Sequence, residues 1–165
     1  MLSIEDMRKL RDAYFPHLPS SEDEILAELG NPSREEIVDT ALAGMQSEDR
    51  NIRVLMLRVL KYHPGDRAME GILRGLKDKK RRAKSVALDG CRSFLHYPEI
   101  TSRLEAMVND ESEHRKIRRG ALGCLASLGA TDFMKDTLSK HENIREGVLL
   151  NLLTLDLSDK AECRC

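Results

Sequence analysis

Apolar residues recur at spacings of three and four along most of the chain, and polar stretches carrying proline or glycine separate the runs. That period belongs to amphipathic helices. The punctuation falls at Pro16, Pro19, Gly30-Asn31-Pro32, Pro64-Gly65, Pro98 and Gly129. Between these marks the pattern predicts helices near 3–15, 21–29, 33–46, 49–62, 66–76, 80–96, 99–109, 113–128, 131–140 and 143–157. Start signals agree with several of them. Ser33 with Glu36 makes a capping-box pattern, Ser20 and Ser21 precede an acidic first turn, and Thr131 opens another helix. No stretch alternates with period two, so no strand is predicted.

The pattern also repeats on a longer scale. The last apolar residue of each odd-numbered helix from the third onward recurs at Met45, Leu76, Val108 and Leu138, at intervals of 31, 32 and 30. A polar linker follows each, and then a second motif opens with Ile52-Arg53, Ala83-Lys84, Ile117-Arg118 or Ile144-Arg145. Three residues beyond the basic position stand Met56, Ala87, Ala121 and Val148, and at the next position Leu57, Leu88, Leu122 and Leu149. A period near 30 with two helices per unit reads as an all-α, right-handed α-solenoid of about five antiparallel helix pairs. It predicts one domain over 1–157, with a degenerate first pair at 1–32 and repeats at 33–65, 66–98, 99–130 and 131–157. A polar tail, 158–165, follows. One pair cannot bury its apolar stripe alone, and stacking of successive pairs supplies the core. Gly90, Gly120, Gly123 and Gly147 stand inside helices, each at a propensity cost of about 1 kcal/mol, and are expected to mark close approaches between helices.

These repeated residues resemble the HEAT-repeat family, in particular its short bacterial and phycobilin-lyase-type members. The resemblance rests on the turn acids Asp49, Asp78, Asp110 and Glu142, the apolar-basic pair opening the second helix, and the Ala and Leu positions after it. It covers 33–157 well. It implies a binding scaffold, while family membership alone carries a third reading, an enzyme or chromophore-lyase-like role; no enzymatic activity and no cofactor are expected.

Composition changes this picture little and charge changes it more. The 165 residues include no Trp, three Tyr and three Phe, which suits a repetitive Leu/Ala core. The net charge of −1 conceals a net of −7 over residues 1–50 and +7 over residues 51–100. The basic maximum is Lys77-Asp78-Lys79-Lys80-Arg81-Arg82-Ala83-Lys84, at a predicted helix start, where positive charge opposes the helix dipole. A solvated linker explains such a run, and so does an anionic partner. The candidate partner-binding residues are therefore Arg53, Lys79, Lys80, Arg81, Arg82, Lys84, Arg118 and Arg145. The ladder Arg53, Lys84, Arg118 and Arg145 has a structural reading as well, with each side chain bonding the turn acid or carbonyls of its own or the next repeat.

The leading expectation is a scaffold for a protein with an acidic surface. The alternative is nucleic-acid or phosphate binding through 77–84, although no aromatic is interleaved there for base stacking. HEAT-like DNA glycosylases are strongly basic with an aromatic-lined cleft, which this chain is not. In the last predicted helix a second apolar stripe, Leu150, Leu153 and Leu157, points away from the core stripe and is expected to be covered, by the tail, a partner or a second copy.

No phosphate-binding glycine loop, nucleophile elbow or His-Glu-x-x-His pattern occurs, so neither a catalytic residue nor a metal site is expected. The five histidines form no i,i+4 pair, and Cys163-Arg164-Cys165 reads as a frayed end. The acidic N-terminal stretch lacks a signal-peptide core, and Val148–Leu157 is half the roughly 20 residues of a membrane span. Buried-type cysteines complete an expectation of cytoplasmic residence without membrane contact.

Overall fold

Helix ends leave backbone groups open, and Ser3, Ser33, Asp49 and His114 close helix starts here with a side-chain acceptor. The computed structural model describes residues 2–13 and 22–140. Within them lie α1 (Ile4–Ala13), α2 (Glu22–Glu28), α3 (Arg34–Gly44), α4 (Arg50–Leu60), α5 (Asp66–Leu76), α6 (Arg81–Gly90), α7 (Pro98–Asn109), α8 (Arg115–Ala126) and α9 (Thr131–Lys140). A 3-10 turn, Cys91–Phe94, follows α6. The protein is all-helical among the described residues, with no strand. The predicted helix at 143–157 lies outside them.

Ser33 Oγ accepts the Glu36 N–H at 3.1 Å, the cap that the Ser33/Glu36 spacing predicts. Ser3 and Asp6 cap α1 reciprocally: Ser3 Oγ accepts the Asp6 N–H at 3.1 Å and Asp6 Oδ2 accepts the Ser3 N–H at 2.8 Å. At the other ends, Gly30 (φ 77°) and Gly129 (φ 68°) take the left-handed conformation. There the Asn31 N–H reaches back to Leu26 O at 2.7 Å and the Ala130 N–H to Leu125 O at 3.3 Å, closing α2 and α8 with Schellman bonds.

The turn acids do the same work three times over. Asp49 Oδ1 accepts the Asn51 N–H at 2.7 Å, Asp78 Oδ1 the Lys80 N–H at 2.7 Å, and Asp110 Oδ1 the Ser112 N–H at 3.0 Å. Each carboxylate thus fixes the turn by bonding a backbone N–H two residues on. That is the physical content of the repeated acid. Glu142 lies outside the described residues.

One helix ends earlier than its pattern. The apolar run predicts 80–96, whereas α6 stops at Gly90 and tightens into the 3-10 turn. A Cβ at Gly90 would stand 3.0 Å from Ile72 Cδ1 and 3.3 Å from Lys61 Cβ, so the bare backbone admits α5 at close range. The tightening buries Phe94 completely.

The chain forms two compact units, Met1–Phe94 and Leu95–Cys165. In the first, α3 packs on α4 and α5 on α6, while α3 also touches α5 and α4 touches α6. First helices thus meet first helices and second helices meet second helices. Ile37, Ala41, Leu57, Leu60, Ile72, Leu76 and Ala87 fill the space between them at 2% exposure or less. Full burial of each large aliphatic chain is worth about 1.5–3 kcal/mol before chain entropy is counted. The N-terminal pair breaks the order: α1, through Met7 and Leu10, is the helix that packs against α4.

The tightest approaches fall at glycines that the sequence pattern does not single out. A Cβ at Gly75 would meet Leu57 Cδ2 at 2.5 Å and Ala87 Cβ at 2.8 Å, and one at Gly71 would meet Leu60 Cδ1 at 2.4 Å. Gly123, expected to mark such an approach, has nothing within 4 Å of its Cβ position. In the second unit α8 packs on both α7 and α9. Its core holds Ile100, Leu104, Val108, Ala121, Leu122 and Leu125, all fully buried.

Candidate functional site

The packing of α1 against α4 brings two helix stripes together. Ile4, Arg8 and Arg11 lie at i, i+4 and i+7 on α1, while Asn51, Val54, Leu55 and Arg58 lie at i, i+3, i+4 and i+7 on α4. With Asp49, Ile52 and, from the first turn of α6, Arg82, they line a cavity of about 150 Å³. Its lining is apolar at Ile4, Ile52, Val54 and Leu55, and its charged residues are four arginines against one aspartate.

The five charges are not equally engaged. Arg8 Nη1 pairs with Glu5 Oε2 at 2.9 Å, and Arg11 Nε bonds Asp12 Oδ1 at 2.5 Å. Asp49 turns its carboxylate to the Asn51 amide as the N-cap of α4. Arg58, half-buried, and Arg82, exposed, have no ion-pair partner among the described residues. The α6 N-terminus adds to the positive field, because no side chain of its N-cap residue Lys80 accepts a hydrogen bond and no acid stands in the first turn.

The basic candidates differ in where the fold places them. Lys79, Lys80, Arg81 and Arg82 are all exposed, and the run ends at the cleft through Arg82. Arg53 is engaged instead in the fold. Its Nε donates to Asp78 Oδ2 at 2.6 Å and its Nη2 to Asp78 Oδ1 at 3.1 Å, while Nη1 donates to the carbonyls of Ser47 at 2.8 Å and Glu48 at 2.9 Å. The bond to Asp78 raises the Arg53 pKa further above its ordinary value, against the opposing effect of burial. Burial alone would push the Asp78 carboxyl up, but the Arg53 bond, the Lys80 amide and the charges of both residues hold it below its ordinary value. Lys84 is half-buried on α6. Arg118 is 1% exposed, with Nε donating to Val108 O at 2.8 Å, so its guanidinium serves the interior of its unit and offers no surface to a partner. Arg145 and the stripe Leu150, Leu153 and Leu157 lie outside the described residues.

Sequence reasoning missed Arg8, Arg11 and Arg58. The available signal is the basic residue that continues each apolar stripe, Ile4 to Arg8 and Leu55 to Arg58, at the i+4 and i+3 spacings. A second, wider cavity of about 390 Å³ lies beside His63, with Arg34, Glu35, Asp66 and Arg67 around it. Burial first, and the Arg34 charge second, push the His63 pKa down to about 4. Two cations face two acids there, leaving no excess charge, and Arg67 is already bound to Asp39 Oδ1. Among the described residues no group of three metal-ligating side chains gathers, and no helix is long and apolar enough to cross a membrane.

No family model, curated protein or solved structure matches the chain significantly.

Proposed function

We propose that this chain is a cytoplasmic, non-enzymatic scaffold of HEAT-like repeats, a right-handed α-solenoid of about five helix pairs, that docks an acidic surface of a protein partner. The observation that carries the reading is the convergence of Arg8, Arg11, Arg58 and Arg82 on one cleft, approached by the exposed run Lys79–Arg82. Packing of first helix on first and second on second within Met1–Phe94 supports the repeat architecture. A surface of one charge sign steers an oppositely charged partner and disfavours others.

The exposed basic run also favours a second reading, nucleic-acid binding. Against it stands the absence of any aromatic side chain among the cleft residues, which leaves no platform for a base. Titration of the purified protein with a labelled oligoglutamate peptide and with labelled single- and double-stranded DNA and RNA separates the two. The scaffold reading expects saturable oligoglutamate binding that is lost in Lys80→Glu/Arg81→Glu/Arg82→Glu. Tighter nucleic-acid binding whose logarithm falls linearly with that of salt would replace it with the second reading.

A further inference from the structure

We infer that the cleft between α1, α4 and the start of α6 is a receptor for a single phosphomonoester group carried on a segment of a partner protein. This inference rests on the docking reading above and gives it a chemical class of ligand.

Charge comes first. Arg8 and Arg11 already have carboxylate neighbours in Glu5 and Asp12, whereas Arg58 and Arg82 have no ion-pair partner among the described residues. With Asp49 counted, the lining sets four arginines against one aspartate, and the two arginines without an ion-pair partner among the described residues suit a phosphomonoester, which carries a charge of about −1.5 to −2 at neutral pH. A carboxylate satisfies one of them, and so does a phosphodiester. The guanidinium fork is also the side chain best suited to binding phosphate oxygens two at a time.

Size narrows the ligand further. A cavity of about 150 Å³ holds a phosphoryl group with a short stem. Sites for whole nucleotides and similar metabolites occupy about 300–1,000 Å³. The ligand must therefore leave most of its mass outside, as a phosphorylated side chain on a polypeptide does.

The lining supplies the third argument. Ile4, Ile52, Val54 and Leu55 place apolar surface beside the arginines, which suits the methylene or methyl of the stem and lowers the local dielectric around the ion pairs. Arg8 and Arg11 sit on the α1 side and Arg58 on α4, while Arg82 comes from α6. Charge thus arrives from three helices, an arrangement for one compact anion. A polyanionic backbone is tracked instead by a groove, and its phosphates carry one charge each.

The test is calorimetric titration of the full chain with a peptide library holding one phosphoserine among degenerate neutral flanks. The same library with serine or glutamate in that place, an oligoglutamate peptide and inorganic phosphate complete the set. The expected result is binding of the phosphoserine library at least about tenfold tighter than either counterpart. Arg82→Gln, at an exposed position, and Arg58→Gln should each weaken it about tenfold or more. Arg50→Gln, an exposed arginine of α4 outside the cleft, should leave it unchanged. Circular dichroism establishes that each variant is folded, and Arg82→Gln suffices where Arg58→Gln is not. Equal affinity for phosphoserine and glutamate libraries, or equal loss in Arg50→Gln, overturns the inference. Inorganic phosphate binding as tightly as the phosphoserine library overturns the commitment to a protein-borne group. If oligoglutamate binds and the phosphoserine library binds no better, the cleft inference falls while the docking reading stands. If neither binds, both fall.

Discussion

Asp78→Ala should be among the most destabilising single changes in the unit Met1–Phe94, and the cost can be assembled from its contacts. The Arg53 and Asp78 side chains are 15% and 6% exposed, and two near-parallel N–H···O bonds join them. Removing one partner of a fully buried pair costs about 3–5 kcal/mol, because the other charge is left behind. Arg53 keeps its bonds to the Ser47 and Glu48 carbonyls and a solvent edge, which brings that figure down to about 2–3 kcal/mol. Loss of the acceptor for the Lys80 N–H, at an exposed turn, adds about 0.5–1 kcal/mol. Asp78→Ala is thus expected to cost about 3 kcal/mol in urea unfolding followed by circular dichroism. Asp78→Asn, which keeps an acceptor for the turn, should cost about half as much. A double-mutant cycle with Arg53→Met should give a coupling energy of about 1.5–2.5 kcal/mol. The sign with pH follows from the lowered Asp78 pKa. The unfolded carboxyl takes up its proton first, so the contribution is full above the ordinary carboxylate range and is lost as pH falls through the folded value. The gap between wild type and Asp78→Asn must therefore close in acid. A coupling below about 0.5 kcal/mol, the range of an exposed surface pair, would refute the reasoning, as would a gap that stays constant from about pH 7 to about pH 3.

The glycines should respond to the same substitution with opposite signs. Gly75→Ala pushes a methyl to 2.8 Å from the fixed Ala87 Cβ and should destabilise by about 1–3 kcal/mol, whereas Gly123→Ala meets nothing and should stabilise by about 0.5–1 kcal/mol in thermal melts. His63, with its pKa pushed down to about 4, binds a proton more readily when unfolded. Stability should be complete above about pH 6.5 and fall by about 1–2 kcal/mol towards about pH 4, the full linkage being discounted because the ring borders an open cavity. His63→Leu should remove that slope, and persistence of the slope in the variant would show that another group carries it.

The helix positions were legible because their signals are local. Ser33 is a cap on any helix that starts at Arg34, and Pro98 is an N1 residue wherever the helix sits, so α3 and α7 each start within one residue of the pattern. The cleft was not legible because it depends on which helix lies beside α4. In a regular stack of pairs, the second helix of the N-terminal pair takes that place. Here α1 takes it, and only that choice carries Arg8 and Arg11 to Arg58. Tight glycine contacts were hidden for the same reason. Gly75 and Gly123 look alike in sequence, and they differ only in whether Leu57 and Ala87 stand opposite.

The internal repeat also separates positions that build the fold from positions free to do something else. Arg53 and Arg118 occupy the same place in their repeats, and both spend their guanidiniums on backbone carbonyls of the turn or helix before them. The turn acids Asp49, Asp78 and Asp110 occupy another and all bond an amide two residues on. Among the described residues these recurring positions, Lys84 aside, therefore have a structural account. The two cleft arginines without an ion-pair partner among the described residues recur differently. Five residues beyond the basic position Arg58 has Asp89 and Gly123 as counterparts, and two residues before it Arg82 has Asn51 and Lys116. The Arg58 place changes sign or vanishes from repeat to repeat, so stacking does not demand an arginine there. Charge that the repeat pattern does not call for, without an ion-pair partner among the described residues and gathered on one small cleft, is what the proposed docking site uses.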